Sequence, residues 1–275
     1  MMNKDIKVKP KQEKTKKKTR KTIDIDHFIY GSREGYTLLG CSSGVDEDAC
    51  TDPFEGMLLP ITVMEMKRVK DVQSIIPTGA NILISRYYQG QKDDKGRPTL
   101  ANHTAVIPRE ILENGSANYD DIVKAMVKFE TKNFDVVGEL SKLKVPLLKN
   151  RIKISKIKKL ISEKTVEDLI MHYQRKPNVR VFLYFPGSND ESRIQTAYLL
   201  SYLLDIKHRL VPIKAFTSVP YAGAKKVFNL VISRDQIDVK PGKGWVMLTI
   251  DKYSHGTGGT TIKGLQKDLR RIYKR

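Results

Sequence analysis

The sequence NILISRYYQG at residues 81–90, followed by NHTAVI at residues 102–107, carries the clearest structural signal in the chain. Both segments are rich in β-branched and aromatic residues, which favour pleated, half-buried strands. The residues between them, QKDDKGRP, are polar and contain the glycine and proline that typically interrupt regular structure. Pro108 ends the second segment. The pattern predicts two antiparallel strands joined as a hairpin.

A second hairpin is predicted nearer the N-terminus, at residues 23–44. Apolar and polar residues partly alternate in IDIDHFIY and again in YTLLGCS, and Gly31 and Gly35 lie in the short segment between these two runs. Alternation on both sides of a glycine-containing turn is typical of a hairpin. Residues 61–70 fit either a short helix or a strand, and the sequence leaves that choice open.

The rest of the chain alternates between helical and strand patterns. Apolar spacing at 149–174 predicts two helices split near 162–165, with Thr165 as a candidate cap. The other predicted elements are a helix at 119–131 capped by Asn118, a strand at 179–185, a helix at 191–209, strands at 211–219, 227–233 and 245–250, and a basic helix at 261–273.

These elements predict an α+β fold with mixed or antiparallel sheets, hairpins and packed helices. We expect a hairpin-rich N-terminal subdomain at 23–148 and a C-terminal α/β subdomain at 149–275. Residues 1–22 are expected to form a disordered basic arm, because they contain too few apolar side chains to offset the entropy of ordering.

The net charge of +19 is concentrated in three segments. Residues 1–22 carry +8, residues 142–180 carry +9 and residues 263–275 carry +5, so the remainder of the chain is slightly acidic. Such clusters predict an anionic partner, either nucleic acid or anionic lipid reached through the arm, although a solubilising tail is an equal alternative for the arm. The residues expected to form the anion-binding surface are Lys16, Lys17, Lys18, Lys153, Lys156, Lys158, Lys159, Arg270 and Arg271.

The cellular location is predicted to be the cytoplasm. The sequence contains no apolar run long enough to span a membrane as a helix, and its basic N-terminus lacks the apolar core of a secretory signal. Cys41 and Cys50 are the only cysteines, which is too few for a disulfide framework in a chain of this length. A reducing compartment is therefore expected.

The chemistry-bearing residues do not form a recognisable catalytic set. The sequence contains neither a P-loop nor a Gly-x-Gly-x-x-Gly motif, and the glycines at 256–259 are typical of a flexible connector. The five histidines lack the spacing of metal ligands. We therefore expect no catalytic residues, no metal, no cofactor and no enzymatic activity. His103 is most simply a structural hydrogen-bonding residue, and a hydrolase using His103 is the less favoured alternative.

Three short stretches carry a resemblance to a known family. They are DHFIYG (26–31) with GYTLLGCSSG (35–44), GRP (96–98) with NHTAVIP (102–108), and AFTS (215–218) after a leucine-rich helix. Together they resemble the N-terminal domain family of GTPase-associated protein 1, which is found in prokaryotes beside small GTPases and conflict-system components.

The resemblance implies a non-enzymatic adaptor or regulator of a small GTPase or a related multiprotein assembly, with no nucleotide site of its own. It places the expected partner contacts at Tyr30, Tyr36, Arg97 and His103. Cross-strand packing is the alternative role for the two tyrosines, and a turn-exposed charge is the alternative for Arg97. A nucleic-acid-binding protein that uses the arm and the lysine-rich 142–180 surface is the alternative function.

Overall fold

A mixed sheet of eleven strands organises the chain in a computed structural model that describes residues 21–32, 36–46, 73–92, 98–131, 138–147, 161–176, 178–217, 227–234 and 245–249. In chain order the strands are β1 Thr22–Ser32, β2 Tyr36–Ser42, β3 Gln73–Thr78, β4 Asn81–Lys92, β5 Pro98–Pro108, β6 Gly138–Leu140, β7 Leu143–Pro146, β8 Arg180–Tyr184, β9 Ala215–Phe216, β10 Leu230–Ser233 and β11 Trp245–Thr249.

The sheet has an antiparallel part and a parallel part. Strands β3, β4, β5, β1 and β2 are antiparallel neighbours in that order, with β6 added parallel to β2 and β7 added antiparallel to β1. Strands β9, β10, β8 and β11 are parallel neighbours. The two parts join where β9 pairs antiparallel with β3. The predicted α+β class is confirmed.

Both predicted hairpins are confirmed. Strands β4 and β5 pair over almost their whole length, with Ser85 opposite Thr104. Strands β1 and β2 pair from Phe28–Cys41 to Ser32–Tyr36, and the register shifts between Ile29 and Tyr30 at a bulge. Each hairpin follows from local alternation and a breaker-rich turn, which is information contained within a short window of sequence.

The helices are α1 Arg109–Glu113, α2 Tyr119–Glu130, α3 Glu163–Arg175 and α4 Asp190–Ser201, which continues into a π-helical segment, Tyr202–Lys207. Asn118 caps α2 as predicted, because its side chain accepts a hydrogen bond from the backbone N–H of Asp121. The cap predicted at Thr165 is wrong. Ser162, the residue immediately before α3, caps the helix instead, because its Oγ accepts a hydrogen bond from the backbone N–H of Thr165 at 3.2 Å. Thr165 lies within the first turn and is therefore the donor in this cap.

Alternation along the strands gives the sheet two buried faces. One face packs with the four helices, in a cluster that includes Ile25, Ile84 and Leu230. The other face is largely aromatic. Its buried members are Phe28, Tyr30, Ile76, Leu83, Tyr87, Phe182, Phe216, Phe228 and Val231. Residues from both predicted subdomains belong to each cluster, so the two halves share one sheet and a common core rather than forming separate cores.

Several predicted elements lie outside the described residues: residues 1–20 of the predicted arm, the segment at 61–70, the first helix of 149–174 and the basic helix at 261–273. The last residue of the predicted arm, Thr22, is the first residue of β1. The predicted strands at 179–185, 211–219, 227–233 and 245–250 and the predicted helix at 191–209 are present within the described ranges, although β9 has only two residues. No helix in the part of the chain that the structure describes is long and apolar enough to cross a membrane.

Candidate functional site

A row of buried polar side chains connects three strands and one helix on the helix-covered face. The register places His103 of β5 opposite Arg86 of β4 and opposite Ile29 of β1. His27 lies two residues before Ile29, so it points to the same face of the sheet. Glu130, the last residue of α2, lies over this row.

These groups are joined by consecutive hydrogen bonds. The Nη1 atom of Arg86 donates to Oε2 of Glu130, and Oε1 of Glu130 lies 2.8 Å from Nδ1 of His103. Nε2 of His103 lies 2.8 Å from Nδ1 of His27. Nε2 of His27 donates to the backbone carbonyl of Ser141, in the turn between β6 and β7, at 2.8 Å. We call the four side chains and this carbonyl the histidine network.

The two imidazole rings and the carboxylate of the histidine network are buried. Both imidazole rings have 0% exposure, and Glu130 has 5%. Phe129 of α2 covers the rings, with its ring centroid 4.6 Å from that of His27 and 5.7 Å from that of His103. Tyr88 packs edge-on against His103 at 6.5 Å. Neither ring is therefore exposed to a substrate in the part of the fold that the structure describes.

Burial sets the protonation of the two rings. It lowers the pKa of His27 to about 4, and the neighbouring His103 adds to the lowering, against the opposing effects of the Ser141 carbonyl and Asp26. Burial also lowers the pKa of His103, while the hydrogen bond and negative charge of Glu130 act in the opposite direction. Burial beside Glu130 raises the pKa of the Tyr88 hydroxyl.

A second polar group lies on the other side of β1. Asp26 accepts a hydrogen bond from the hydroxyl of Ser42 at 2.7 Å and pairs with the ammonium group of Lys142 at 3.0 Å. The Ser42 Oγ in turn accepts from the backbone N–H of His27 at 2.9 Å. Burial of Asp26 favours its neutral form, but these two partners outweigh burial and hold the pKa of its carboxyl below the usual value. We call Asp26, Ser42 and Lys142 the Asp26 cluster.

Neither group has the geometry of an accessible catalytic centre. In the histidine network each ring nitrogen is already engaged with another ring, a carboxylate or a backbone carbonyl, and general acid–base catalysis needs one of them within reach of a substrate. In the Asp26 cluster the Ser42 hydroxyl is buried and donates its hydrogen bond to Asp26. No group of three metal-ligating side chains occurs among the described residues. What both groups can do is hold strands and turns together.

Two of the four predicted partner contacts, Tyr30 and His103, have side chains that the structure describes. Tyr30 is 6% exposed and packs edge-on against Phe28 at 5.8 Å, while His103 is fully buried. These two side chains point to opposite faces of the sheet and are both buried because the sheet has a core on each face, and the predicted partner contact at these residues stays a prediction. Tyr36 occupies the first position of β2, opposite Ser32, and its side chain lies outside what the structure describes.

The other predicted contacts are outside the described residues. They are Arg97 at the β4–β5 connection and all nine members of the expected anion-binding surface: Lys16, Lys17, Lys18, Lys153, Lys156, Lys158, Lys159, Arg270 and Arg271. The described residues contain 17 Lys and Arg against 15 Asp and Glu, out of 50 and 31 in the chain. The described part of the fold is therefore nearly neutral.

Sequence reasoning missed Arg86, Glu130 and His27 as members of one site. A signal for part of it was available, because Arg86 and His103 occupy predicted partner strands of one hairpin and a short turn restricts which residues face each other. No local pattern indicated that β1 would pair with β5 or that the end of α2 would cover the pair.

The stretches that carry the family resemblance become elements of one sheet. DHFIYG lies in β1, most of GYTLLGCSSG lies in β2, NHTAVIP ends β5, and AFT contains β9. Strands β5, β1 and β2 are immediate neighbours. A comparison with protein-family models finds no match for this chain, and a comparison with curated proteins finds none either.

Proposed function

We propose that this protein is a non-enzymatic adaptor or regulatory interaction protein that associates with a small GTPase or a related multiprotein assembly. The observation that supports the proposal is the placement of the resembling stretches on strands of one sheet, where Asp26, His27 and His103 make internal hydrogen bonds. The motifs thus have a role in building the fold, and contacts with a partner fall to residues outside these internal bonds.

The test is affinity purification of the full chain from nuclease-treated native extract, followed by mass spectrometry. We expect a GTPase or a GTPase-linked protein to be enriched over a mock purification. Recovery of no such protein would refute the proposal. Nuclease treatment is needed because a basic chain can retain proteins indirectly through nucleic acid.

Variants at the predicted contacts sharpen the test. Arg97→Ala and Tyr36→Ala should each reduce recovery of the partner, since those positions remain the predicted partner contacts. Lys124→Ala is the matched control for the arginine, because it removes one positive charge from an exposed position on α2, where Lys124 makes only a 4.0 Å ion pair with Asp121. Equal losses for Arg97→Ala and Lys124→Ala would argue against a contact at Arg97.

The alternative function is nucleic-acid binding. The observation that favours it is the distribution of charge, since the described fold is nearly neutral and the remaining residues carry 33 of the 50 Lys and Arg. Phosphate contacts release counterions, so binding to a nucleic acid must weaken steeply as salt rises from about 50 to about 200 mM. Replacing Lys16, Lys17 and Lys18 with Gln should flatten that dependence. Binding that is unchanged across this range would exclude the alternative.

A further inference from the structure

The hydrogen-bond directions in the histidine network can be assigned from chemistry alone. A backbone carbonyl can only accept, so the Nε2 atom of His27 carries a proton that it donates to Ser141. In a neutral imidazole the second nitrogen is then bare, so Nδ1 of His27 is an acceptor. The Nε2 atom of His103, 2.8 Å away, must therefore be the donor.

The last bond needs one more proton. If His103 is neutral and donates through Nε2, its Nδ1 atom is bare, yet it lies 2.8 Å from Oε1 of Glu130. A bare nitrogen facing a carboxylate oxygen presents two lone pairs to each other and forms no hydrogen bond. The bond forms only if a proton lies between them, on His103 as an imidazolium or on Glu130 as a carboxylic acid.

Placing the extra proton on His27 instead of on His103 or Glu130 gives the same total number of protons in the network. A doubly protonated His27 would donate to both Ser141 and Nε2 of His103, and His103 would then donate through Nδ1 to Glu130. In every arrangement that satisfies the three bonds, the two histidines and Glu130 together hold one proton more than two neutral rings and one carboxylate.

We propose that the completed histidine network stores one proton in the folded protein, and that this proton controls how firmly the β6–β7 turn is attached to the sheet. Without it the His103–Glu130 bond is lost, so Glu130 no longer holds in place the His103 ring that donates to His27, and His27 is the residue that binds the Ser141 carbonyl. The geometry places the stored proton at the His103–Glu130 bond, because only that bond has a carboxylate partner. Burial and Arg86 lower the pKa of His103, whereas Glu130 raises it.

The charged groups around the rings act on the stored proton in both directions. Arg86 from β4 pairs with the carboxylate of Glu130 from α2 and opposes a positive charge on His103, so the stored proton leaves this buried site with a net charge of +1. Tyr88 from β4 packs against His103, and Asp26 of β1 favours a positive charge on His27. Lys142 in the same turn is held by Asp26, so the turn has two anchors on adjacent residues of β1.

Glu130→Gln tests the proton count. The amide N–H of glutamine can donate to a bare Nδ1 of His103 while its oxygen accepts from Arg86, so the variant completes the same network with no stored proton. The folded wild type then binds one proton more than the folded variant, whereas the unfolded chains bind equal numbers once a solvated glutamate is ionised.

The quantity measured is the folding equilibrium constant of the wild type divided by that of Glu130→Gln. We expect this ratio to fall tenfold per pH unit from about pH 6 upward, and to become constant once the network has released its proton. Chemical denaturation at each pH gives both constants. A ratio that stays constant between about pH 6 and 9 would overturn the proposal. Glu113→Gln is the matched control, since Glu113 makes a surface ion pair with Arg209 at 3.1 Å, and its ratio to wild type should not vary with pH.

Two measurements test the proposal without relying on how well the variant folds. In the wild type at pH 7, nuclear magnetic resonance of the imidazole nitrogens and the Glu130 carboxyl carbon should show either a doubly protonated His103 or a protonated carboxyl. Two singly protonated rings beside an ionised carboxylate would overturn the proposal.

Hydrogen exchange then tests control of the turn. Amide protection at Lys142 and Leu143 should fall as the wild-type network releases its proton. Protection that persists through that release would overturn the second part of the proposal.

Discussion

Phe216 offers the sharpest test of the joined sheet. It lies in β9, the two-residue strand that pairs with β3 on one side and with β10 on the other. Its side chain is 3% exposed and stacks on Phe228, with ring centroids 5.0 Å apart. We predict that Phe216→Ala lowers the stability of the whole sheet rather than that of one half.

The magnitude follows from burial. An aromatic side chain buries about 150–250 Å², which at about 25 cal/mol per Å² is about 4–6 kcal/mol, and stacking adds up to about 1.5 kcal/mol. Alanine retains part of that area and the surroundings relax, so the measured loss should be about 3–5 kcal/mol. With an m-value of about 3 kcal/mol/M, the urea midpoint should fall by about 1–1.7 M.

The assay uses two probes of unfolding. Trp245 is the single tryptophan of the chain and lies in β11, at the far end of the parallel part, so its fluorescence reports that part. Far-ultraviolet circular dichroism reports all helices and strands. Because the halves share a sheet and core, the two transitions should coincide in the wild type and shift together in Phe216→Ala. Val127→Ala, at a position 38% exposed on α2, is the control and should shift the midpoint by little.

A fluorescence transition that shifts while the circular dichroism signal keeps a separate, unshifted phase would refute this reasoning. It would mean that the antiparallel part folds without the parallel part, as two independent subdomains would. A loss well under 1 kcal/mol would refute the burial argument instead, since it would place Phe216 at a site that tolerates a cavity.

Three further substitutions test individual contacts. Asn118→Ala removes the cap of α2 and should lower the free energy of unfolding by about 1 kcal/mol, measured by urea denaturation. Asp26→Asn removes a carboxyl whose pKa is lower in the folded than in the unfolded protein, so the variant should be less stable than the wild type at neutral pH. This difference in stability should vanish as the pH falls through the folded pKa, because the ion pair with Lys142 is then absent from both proteins. Gly40→Ala places a Cβ 2.5 Å from the carbonyl oxygen of Gly138, so it should separate β2 from β6 and lower the thermal midpoint; an unchanged midpoint would contradict that close approach.

The hairpins and most helices of this fold were predictable because their signals are local. The alternation of a strand, the breaker residues of a turn and the N-cap of a helix are each recognisable within a window of about a dozen residues. The turn between β4 and β5 and the cap of α2 at Asn118 are examples. The joining of the two halves was not predictable, because the β3–β9 pair connects Ile75 with Ala215 across a long stretch of chain and periodicity contains no information about such partners.

The same reason explains why the candidate site was only partly anticipated. His103 was recognised as a structural hydrogen-bonding residue, but its partner His27 is 76 residues away and Glu130 is 27 residues away. The neighbour order β5–β1 and the position of α2 bring these groups together, and both depend on tertiary packing. The burial of Tyr30 likewise follows from having a core on both faces of the sheet, which alternation alone does not reveal.

Under the proposed function, we propose that the nearly neutral sheet, and not the basic arm, carries the surface for the GTPase-linked partner. This is tested most directly by affinity purification with the full chain and with residues 21–275, which keep all of β1, each in nuclease-treated extract at about 50 and about 200 mM salt. We predict that both proteins recover the same GTPase or GTPase-linked protein at both salt concentrations. Recovery by the full chain alone, or loss of the partner at the higher salt, would contradict the claim and assign binding to the arm.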